Sequence, residues 1–179
     1  MISHNECLKE YGSDYFIKQK INTGELFKIE KGIYSKNESI PTIALLSYKY
    51  PKAIITMDTA FYLYGMTDEI PDECTMATKR EAAPIVDKRV KQIFMPKELL
   101  SIGATTIDYK GYKVPIFDRE RMLIELVRYK GKMPFNYYKE IILNYRRILP
   151  QLNVEKIRDY AEVMPRHKKI IDTLKMEVF

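Results

Sequence analysis

Four polar side chains near the N-terminus have the types and spacing needed to contact base edges in a DNA duplex. They are Tyr15, Lys18, Gln19 and Asn22. Steps of three and four residues place side chains on one face of an α-helix, and Lys, Gln and Asn offer donors to the major groove. Lysines that could neutralise phosphates follow: Lys28, Lys31 and Lys36. The pattern predicts a DNA-binding surface, although a solvated helix face has the same composition.

Patterns typical of catalysis and metal binding are the second kind of chemistry to consider. The Cys and His residues are few and scattered: His4, Cys7, Cys74 and His167. Their spacing does not match zinc ligands, and neither Cys has a His partner that would activate it. No glycine-rich phosphate loop and no Gly-x-Ser-x-Gly motif is present. We therefore expect a non-enzymatic protein with no catalytic residue, no cofactor and no metal.

Composition supports this expectation and limits the cellular context. The chain has a formal net charge of +6 and a sequence pI near 9.1, which suits a nucleic-acid partner without requiring one. Two Cys residues give no disulfide framework. The N-terminus shows no signal-peptide pattern, and no apolar run approaches the roughly 18 residues of a membrane span. We expect a soluble, cytoplasmic protein with no membrane partner.

The DNA-contacting candidates require a small helical module to position them. The sequence predicts a helix over 5–11 and a second helix over 14–23, with Ser13 as its N-cap and Gly24 closing it. Strands over 26–30 and 33–35 follow, joined by a turn at Lys31-Gly32. Two helices followed by a basic hairpin is the layout of a winged helix-turn-helix, whose second helix reads the groove.

The remainder of the chain predicts a mixed α/β domain that ends in a helical segment. Strands are predicted over 53–55, 74–78, 91–95 and 104–109, with a hairpin at 108–112 leading into a further strand; helices are predicted over 39–50, 58–64, 118–129, 134–148, 153–163 and 166–177. The predicted fold class is α+β, with a winged-helix domain at 1–37 and a second domain at 38–179. In that second domain, strands extend to about residue 115 and helices occupy 116–179.

Two basic groups outside the N-terminal module could extend a DNA footprint or contact an acidic partner. The first comprises Lys79, Arg80, Lys88, Arg89 and Lys91, and the second lies in the helical end at Arg146-Arg147, Arg158 and 166–169. Exposed loops and solvated helix faces explain both groups equally simply. Asp118 precedes a predicted helix and is expected to cap it.

Three stretches of the chain resemble the AbiEi-type antitoxins, which are the transcriptional regulators of type IV toxin–antitoxin systems. The stretches are Gly24-Glu25-Leu26-Phe27-Lys28-Ile29-Glu30-Lys31-Gly32-Ile33-Tyr34; Ala53-Ile54-Ile55-Thr56-Met57-Asp58-Thr59-Ala60 with Tyr64-Gly65-Met66-Thr67 and Ile70-Pro71; and Pro115-Ile116-Phe117-Asp118-Arg119-Glu120-Arg121-Met122-Leu123. The first stretch is the most specific, and the others occur in the same order as in the family.

The resemblance implies an antitoxin of an abortive-infection (phage-defence) system. Its winged helix would bind inverted repeats in the promoter of its own operon and act as a repressor. Its C-terminal domain would counteract a nucleotidyltransferase-type toxin without needing a stable complex. Glu120 and Arg121 are where this resemblance places the antitoxin activity. A homodimer on the inverted repeat would strengthen DNA binding that is weak for a single copy.

A second interpretation stays open, in which the protein is an antitoxin or adaptor that acts by protein interaction and does not bind DNA. Residues 1–37 contain six Lys and five acidic residues, a net charge of only +1. Most AbiEi-type proteins also have an additional helix before the two predicted here. Its absence is expected to leave Leu8, Phe16 and Ile17 partly uncovered and would be consistent with a degenerate winged helix.

Overall fold

The computed structural model describes all 179 residues and divides into two compact units, Met1–Lys49 and Tyr50–Phe179. The fold is α+β, with nine α-helices and two β-sheets. The sequence predicted a boundary between residues 37 and 38. The structure places it after Lys49 instead, because the helix at Thr42–Lys49 belongs to the first unit. None of the helices is both long enough and apolar enough to span a lipid bilayer.

The first unit combines three helices with a small antiparallel sheet. Its elements are β1 (Ile2–Ser3), α1 (His4–Tyr11), α2 (Asp14–Asn22), β2 (Phe27–Glu30), β3 (Ile33–Ser35) and α3 (Thr42–Lys49). The strand order is β1-β3-β2. The two predicted helices and the predicted hairpin are confirmed, whereas the two-residue strand β1 was not predicted. The hairpin turns at Lys31-Gly32, where Gly32 has a φ of 78°, which glycine adopts at little cost.

A small hydrophobic core holds the first unit together. Its buried members are Cys7, Ile17, Leu26 and Tyr34, surrounded by the partly buried Ile2, Leu8, Tyr11 and Ile21. The expectation that Ile17 would be uncovered is wrong, because Ile17 packs within this cluster and is only 2% exposed. Leu8 is half-buried, and Phe16 is 51% exposed. The core of the first unit is therefore covered at its centre and open at its edge.

The helix ends of the first unit differ from the sequence prediction in one respect. Ser13 occupies the N-cap position of α2, but its side chain makes no capping hydrogen bond. The capping box is at α1 instead, where the Ser3 hydroxyl accepts from the Glu6 amide (3.3 Å) and the Ser3 amide donates to the Glu6 carboxylate (2.6 Å). Gly24 follows the end of α2 with a φ of 73°, as predicted.

The second unit places a five-stranded mixed sheet before a helical segment. Its elements are β4 (Ile54–Ile55), α4 (Met57–Leu63), β5 (Cys74–Lys79), β6 (Val90–Met95), α5 (Lys97–Leu100), β7 (Ala104–Tyr109), β8 (Tyr112–Phe117), α6 (Arg119–Tyr129), α7 (Phe135–Ile148), α8 (Val154–Val163) and α9 (His167–Glu177). The strand order is β6-β5-β4-β8-β7, with β5–β6 and β4–β8 parallel. Each predicted strand and helix is present, and the short α5 was not predicted.

Helix α6 is the central helix of the second unit. It begins where the Asp118 carboxylate accepts from the Arg121 amide (2.8 Å), which confirms the predicted cap. Its side chains Met122, Leu123 and Leu126 are fully buried. Burial of this kind contributes about 1.5–3 kcal/mol for each large apolar side chain. The apolar side chains of α6 therefore pack into the core of the second unit.

Candidate nucleic-acid interface

The exposed face of α2 contains all four side chains that the sequence proposed for base contact. The opposite face is fixed by Ile17 and the half-buried Ile21, which pack into the core of the first unit. The outward positions are exposed: Tyr15, Lys18, Gln19 and Asn22. Lys18 and Gln19 are each three or four residues from both Tyr15 and Asn22, so all four lie along a single face of the helix. The sequence thus predicted the orientation of α2 correctly.

The hairpin that follows α2 presents two exposed lysines. Lys28 lies on β2, and Lys31 lies in the turn between β2 and β3. The strand register shifts between Lys28 and Glu30, where a β-bulge bends β2 just before the turn. Neither lysine has a carboxylate within 4 Å, so both charges are directed to solvent and available to an anion.

Lys36 differs from these two lysines because it is already engaged. Its ammonium lies 3.0 Å from the Glu10 carboxylate, which raises the pKa of Lys36 and lowers the pKa of Glu10. Lys36 is exposed, so this pair forms in solvent and contributes little to stability. A phosphate would have to compete with Glu10 for this lysine, and Lys36 is therefore the weakest of the predicted contacts.

Most carboxylates of the first unit contact side chains other than Lys18, Lys28 and Lys31, and three of them form ion pairs with lysines. The pairs are Asp14 with His4 (2.7 Å), Glu25 with Lys20 (2.6 Å), Glu30 with Lys49 (2.8 Å) and Glu10 with Lys36 (3.0 Å). The unit carries seven Lys and six acidic residues, so its net charge is small. Four lysines remain unpaired, and three of them lie on α2 and the hairpin, where an anion could approach; the fourth is Lys9 on α1.

Phe16 is a residue of this surface that the sequence pattern assigns to the core side of α2. It is 51% exposed, and its ring meets the Tyr15 ring edge-on at a centroid distance of 5.5 Å. Tyr15 itself is 72% exposed. An exposed aromatic pair beside hydrogen-bond donors suits apolar contact with thymine methyl groups. This exposure agrees with the expectation that Phe16 is partly uncovered, although its position next to Ile17 alone would predict burial.

Arg121, which the resemblance associated with antitoxin activity, is fully buried. Its guanidinium binds the Glu125 carboxylate (2.7 Å) and donates to the Leu99 carbonyl (2.8 Å) and the Ile102 carbonyl (3.0 Å). It also lies 4.7 Å above the Phe117 ring. The expectation of a partner contact at Arg121 conflicts with this burial, because the side chain has no surface to offer and joins α6 to the loop before β7.

Glu120, the neighbouring candidate, is half-buried and has an identifiable structural contact. Its carboxylate accepts from the amide of Asn153, the residue that caps α8. Asn153 in turn accepts from the Lys156 amide at 3.0 Å, as its predicted capping role requires. Glu120 therefore connects the start of α6 to the start of α8, with part of its side chain left accessible.

The basic residues between 79 and 91 do not form one cluster. Strands β5 and β6 are parallel, with Cys74 opposite Val90 and Lys79 opposite Met95. Lys79 thus lies at the end of β5, whereas Lys88 lies before the start of β6. Six residues of strand separate the two ends, roughly 20 Å at 3.3 Å per residue. The sequence-based grouping is therefore wrong, because it joined residues at opposite ends of a parallel pair.

These features define an α+β protein with a helix–helix–hairpin unit that exposes cations and hydrogen-bond donors. Its structure is similar to the crystal structure of the RV2827C protein from Mycobacterium tuberculosis, with a TM-score of 0.61 and 12% sequence identity. The similarity covers 97% of this chain and 71% of that chain, and at this identity it establishes the fold alone. No family model and no curated protein matches the sequence.

Proposed function

We propose that this protein is a DNA-binding antitoxin of a type IV toxin–antitoxin system that represses its own operon. The first unit acts as a winged helix: α2 enters the major groove and the β2–β3 hairpin contacts the phosphate backbone. The observation that carries the proposal is the shared exposed face of Tyr15, Lys18, Gln19 and Asn22. The toxin-directed part of the proposal comes from the resemblance of the chain to AbiEi-type antitoxins.

The contacts divide into two energetic classes. Lys28 and Lys31 would bind phosphates, which gives affinity that depends on salt but not on sequence. Gln19 and Asn22 would pair with base edges, where a bidentate contact discriminates by about 1–3 kcal/mol. Because one unit offers so few cations, two copies on an inverted repeat would be needed for tight binding. Repression of a promoter that contains an inverted repeat meets this requirement.

A mobility-shift assay with duplex DNA from upstream of the gene tests the proposal. Replacing Lys18 and Lys31 together with Ala should weaken binding about tenfold or more and reduce its salt dependence, because Lys18 no longer donates to the groove and Lys31 no longer neutralises a phosphate. Lys9→Ala is the matched control, since Lys9 is exposed on α1 and is not one of the proposed DNA contacts. Equal shifts for all three proteins, with unchanged circular dichroism, would refute the DNA-binding assignment.

The distribution of charge favours a second candidate function, an antitoxin that acts only by protein interaction. The first unit holds seven cations and six carboxylates, whereas residues 50–179 hold 23 cations and 18 carboxylates. Nearly all the excess charge therefore lies outside the proposed winged helix. Co-expression of the toxin with the full-length Lys18→Ala, Lys31→Ala variant separates the two functions. The second candidate would be selected if both the natural protein and the variant neutralise the toxin and neither binds the operator.

A further inference from the structure

A cleft in the second unit is lined by cations and has no carboxylate in its wall. It lies beside the end of α6, the following 3-10 turn at Lys130–Lys132 and the start of α9. Its volume is about 630 Å³, within the range of small-molecule sites. The charged side chains in its wall are Arg128, Lys130, Lys132, Arg166 and Lys169. Five cations and no carboxylate in the wall concentrate positive charge around the cleft.

The sequence produces this charge imbalance in two separate segments. No acidic residue occurs between 126 and 139, and none occurs between 163 and 171. The fold brings the two segments together, because α6 contacts α9. Neither segment is exceptional alone, since short basic stretches are common on helical surfaces. The two basic segments together surround a concave surface, and a simple solvated helix face does not explain that arrangement.

Two of the five cations are neutralised within the protein. Arg128 donates to the Glu125 carboxylate (2.7 Å), and Lys130 pairs with Glu177. The other three have no carboxylate within 4 Å: Lys132, Arg166 and Lys169. All three side chains are exposed, so they can move toward a ligand without first breaking an ion pair. The cleft therefore retains about three unpaired positive charges.

One aromatic ring also lines the cleft. Tyr129 is half-buried, and the Lys132 ammonium lies 5.3 Å from the centre of its ring. Stacking of a base on an aromatic ring contributes about 1–3 kcal/mol and tolerates any base, because each base has a π-face. An aromatic ring among unpaired cations is the combination that nucleotides require: a surface for the base and charges for the phosphate.

We propose that this cleft binds a nucleotide, with its phosphate on Lys132, Arg166 and Lys169 and its base against Tyr129. The ligand is either a unit of single-stranded nucleic acid or a free nucleotide, and both offer the same phosphate and base. The site is separate from the duplex-binding surface proposed for the first unit, and it does not depend on that function. It assigns to the second unit a ligand of its own.

The test is a fluorescence-polarisation titration of a fluorescein-labelled ten-nucleotide uridine strand, using the full chain. The Lys18→Ala, Lys31→Ala variant serves as the background, so that any contribution from the first unit is reduced. Adding Lys132→Gln and Lys169→Gln should weaken binding about tenfold and lower the salt slope by roughly 1.4, about 0.7 for each phosphate that is no longer neutralised. If unlabelled uridine triphosphate displaces the labelled strand, a free nucleotide is sufficient to occupy the cleft. If only unlabelled strands displace it, the ligand is single-stranded nucleic acid.

The control replaces two exposed lysines of the same unit that do not line the cleft, Lys139→Gln and Lys175→Gln. This variant has the same net charge as the cleft variant, and its affinity should stay within about twofold. Tyr129→Leu should weaken binding of the uridine strand, whereas inorganic phosphate should compete as well as it does with the unchanged tyrosine. Equal losses of affinity in the cleft and control variants would overturn the proposal, and so would the absence of binding by both strand and triphosphate at low salt.

Discussion

Arg121 and Glu125 allow a quantitative test of how the second unit is stabilised. Both side chains are fully buried, and the guanidinium also satisfies the Leu99 and Ile102 carbonyls. Arg121→Met would leave a buried carboxylate with only Arg128 as partner and two carbonyls without a donor. Removing one member of a buried pair costs about 3–5 kcal/mol. For a chain of this length, the expected fall in Tm is roughly 6–20 °C.

Urea denaturation of three variants distinguishes the buried charge from simple loss of packing. Arg121→Met should lose about 3–5 kcal/mol of unfolding free energy, and Arg121→Met with Glu125→Leu should recover the part caused by the buried carboxylate, while the Leu99 and Ile102 carbonyls still lack a donor. Arg158→Met, at a side chain that is 66% exposed, should change the free energy by less than about 0.5 kcal/mol. A double variant as unstable as the single one would refute the reasoning.

If the protein is an antitoxin as proposed, the same variants decide whether Arg121 has a direct role toward the toxin. If the guanidinium acts only by holding α6 in place, toxin neutralisation should fall in Arg121→Met together with the amount of folded protein. It should then return in the double variant with Glu125→Leu, which restores folding without restoring the guanidinium. If a stably folded double variant still fails to neutralise the toxin, Arg121 has a direct function. That result would contradict the structural role inferred from its burial.

Two further predictions concern backbone packing and alkaline pH. Gly103→Ala should destabilise the protein by about 2–3 kcal/mol, because Gly103 has a φ of 71° and an added Cβ would lie 2.5 Å from the Arg121 Cβ. Gly131→Ala is the control, because a Cβ added at Gly131 would meet nothing within 4 Å. Similar Tm values for the two alanine variants would contradict the prediction. Burial raises the pKa of the Cys74 thiol to about 11 from 9.0, so its contribution to stability is complete below pH 9 and is lost as the pH rises to 11. The stability difference between the natural protein and Cys74→Ala should therefore shrink by about 2–3 kcal/mol between pH 8 and 11 in urea titrations, whereas a constant difference would exclude this linkage.

Local sequence patterns were sufficient to locate most elements of the fold. Helix α6 follows from its cap at Asp118 and its apolar positions at Met122, Leu123 and Leu126, and both features depend on neighbouring residues. The β2–β3 hairpin follows from alternation on either side of Lys31-Gly32. The exposed face of α2 follows from the positions of its two core isoleucines. In each of these cases, the residues that determine the element are close together in the sequence, within one or two helical turns or within a single hairpin.

Features that depend on residues distant in sequence could not be predicted in this way. The burial of Arg121 depends on carbonyls of residues 99 and 102, about twenty positions earlier, and on Phe117 beneath it. The separation of Lys79 from Lys88 depends on the parallel pairing of β5 with β6, which short-range patterns do not specify. Strand β1 has only two residues and exists because β3 pairs with it.

The position of the unpaired charges, more than the total charge, connects the structure to the proposed functions. A net charge of +6 alone would suit either a DNA-binding protein or a solvated basic surface. In the first unit, three of the seven lysines are held in ion pairs, and Lys18, Lys28 and Lys31 are among the four that remain unpaired and able to contact DNA. In the second unit, unpaired cations converge on a concave surface beside Tyr129. A duplex and a single nucleotide require these two different arrangements, so one chain can recognise both ligands without sharing a site.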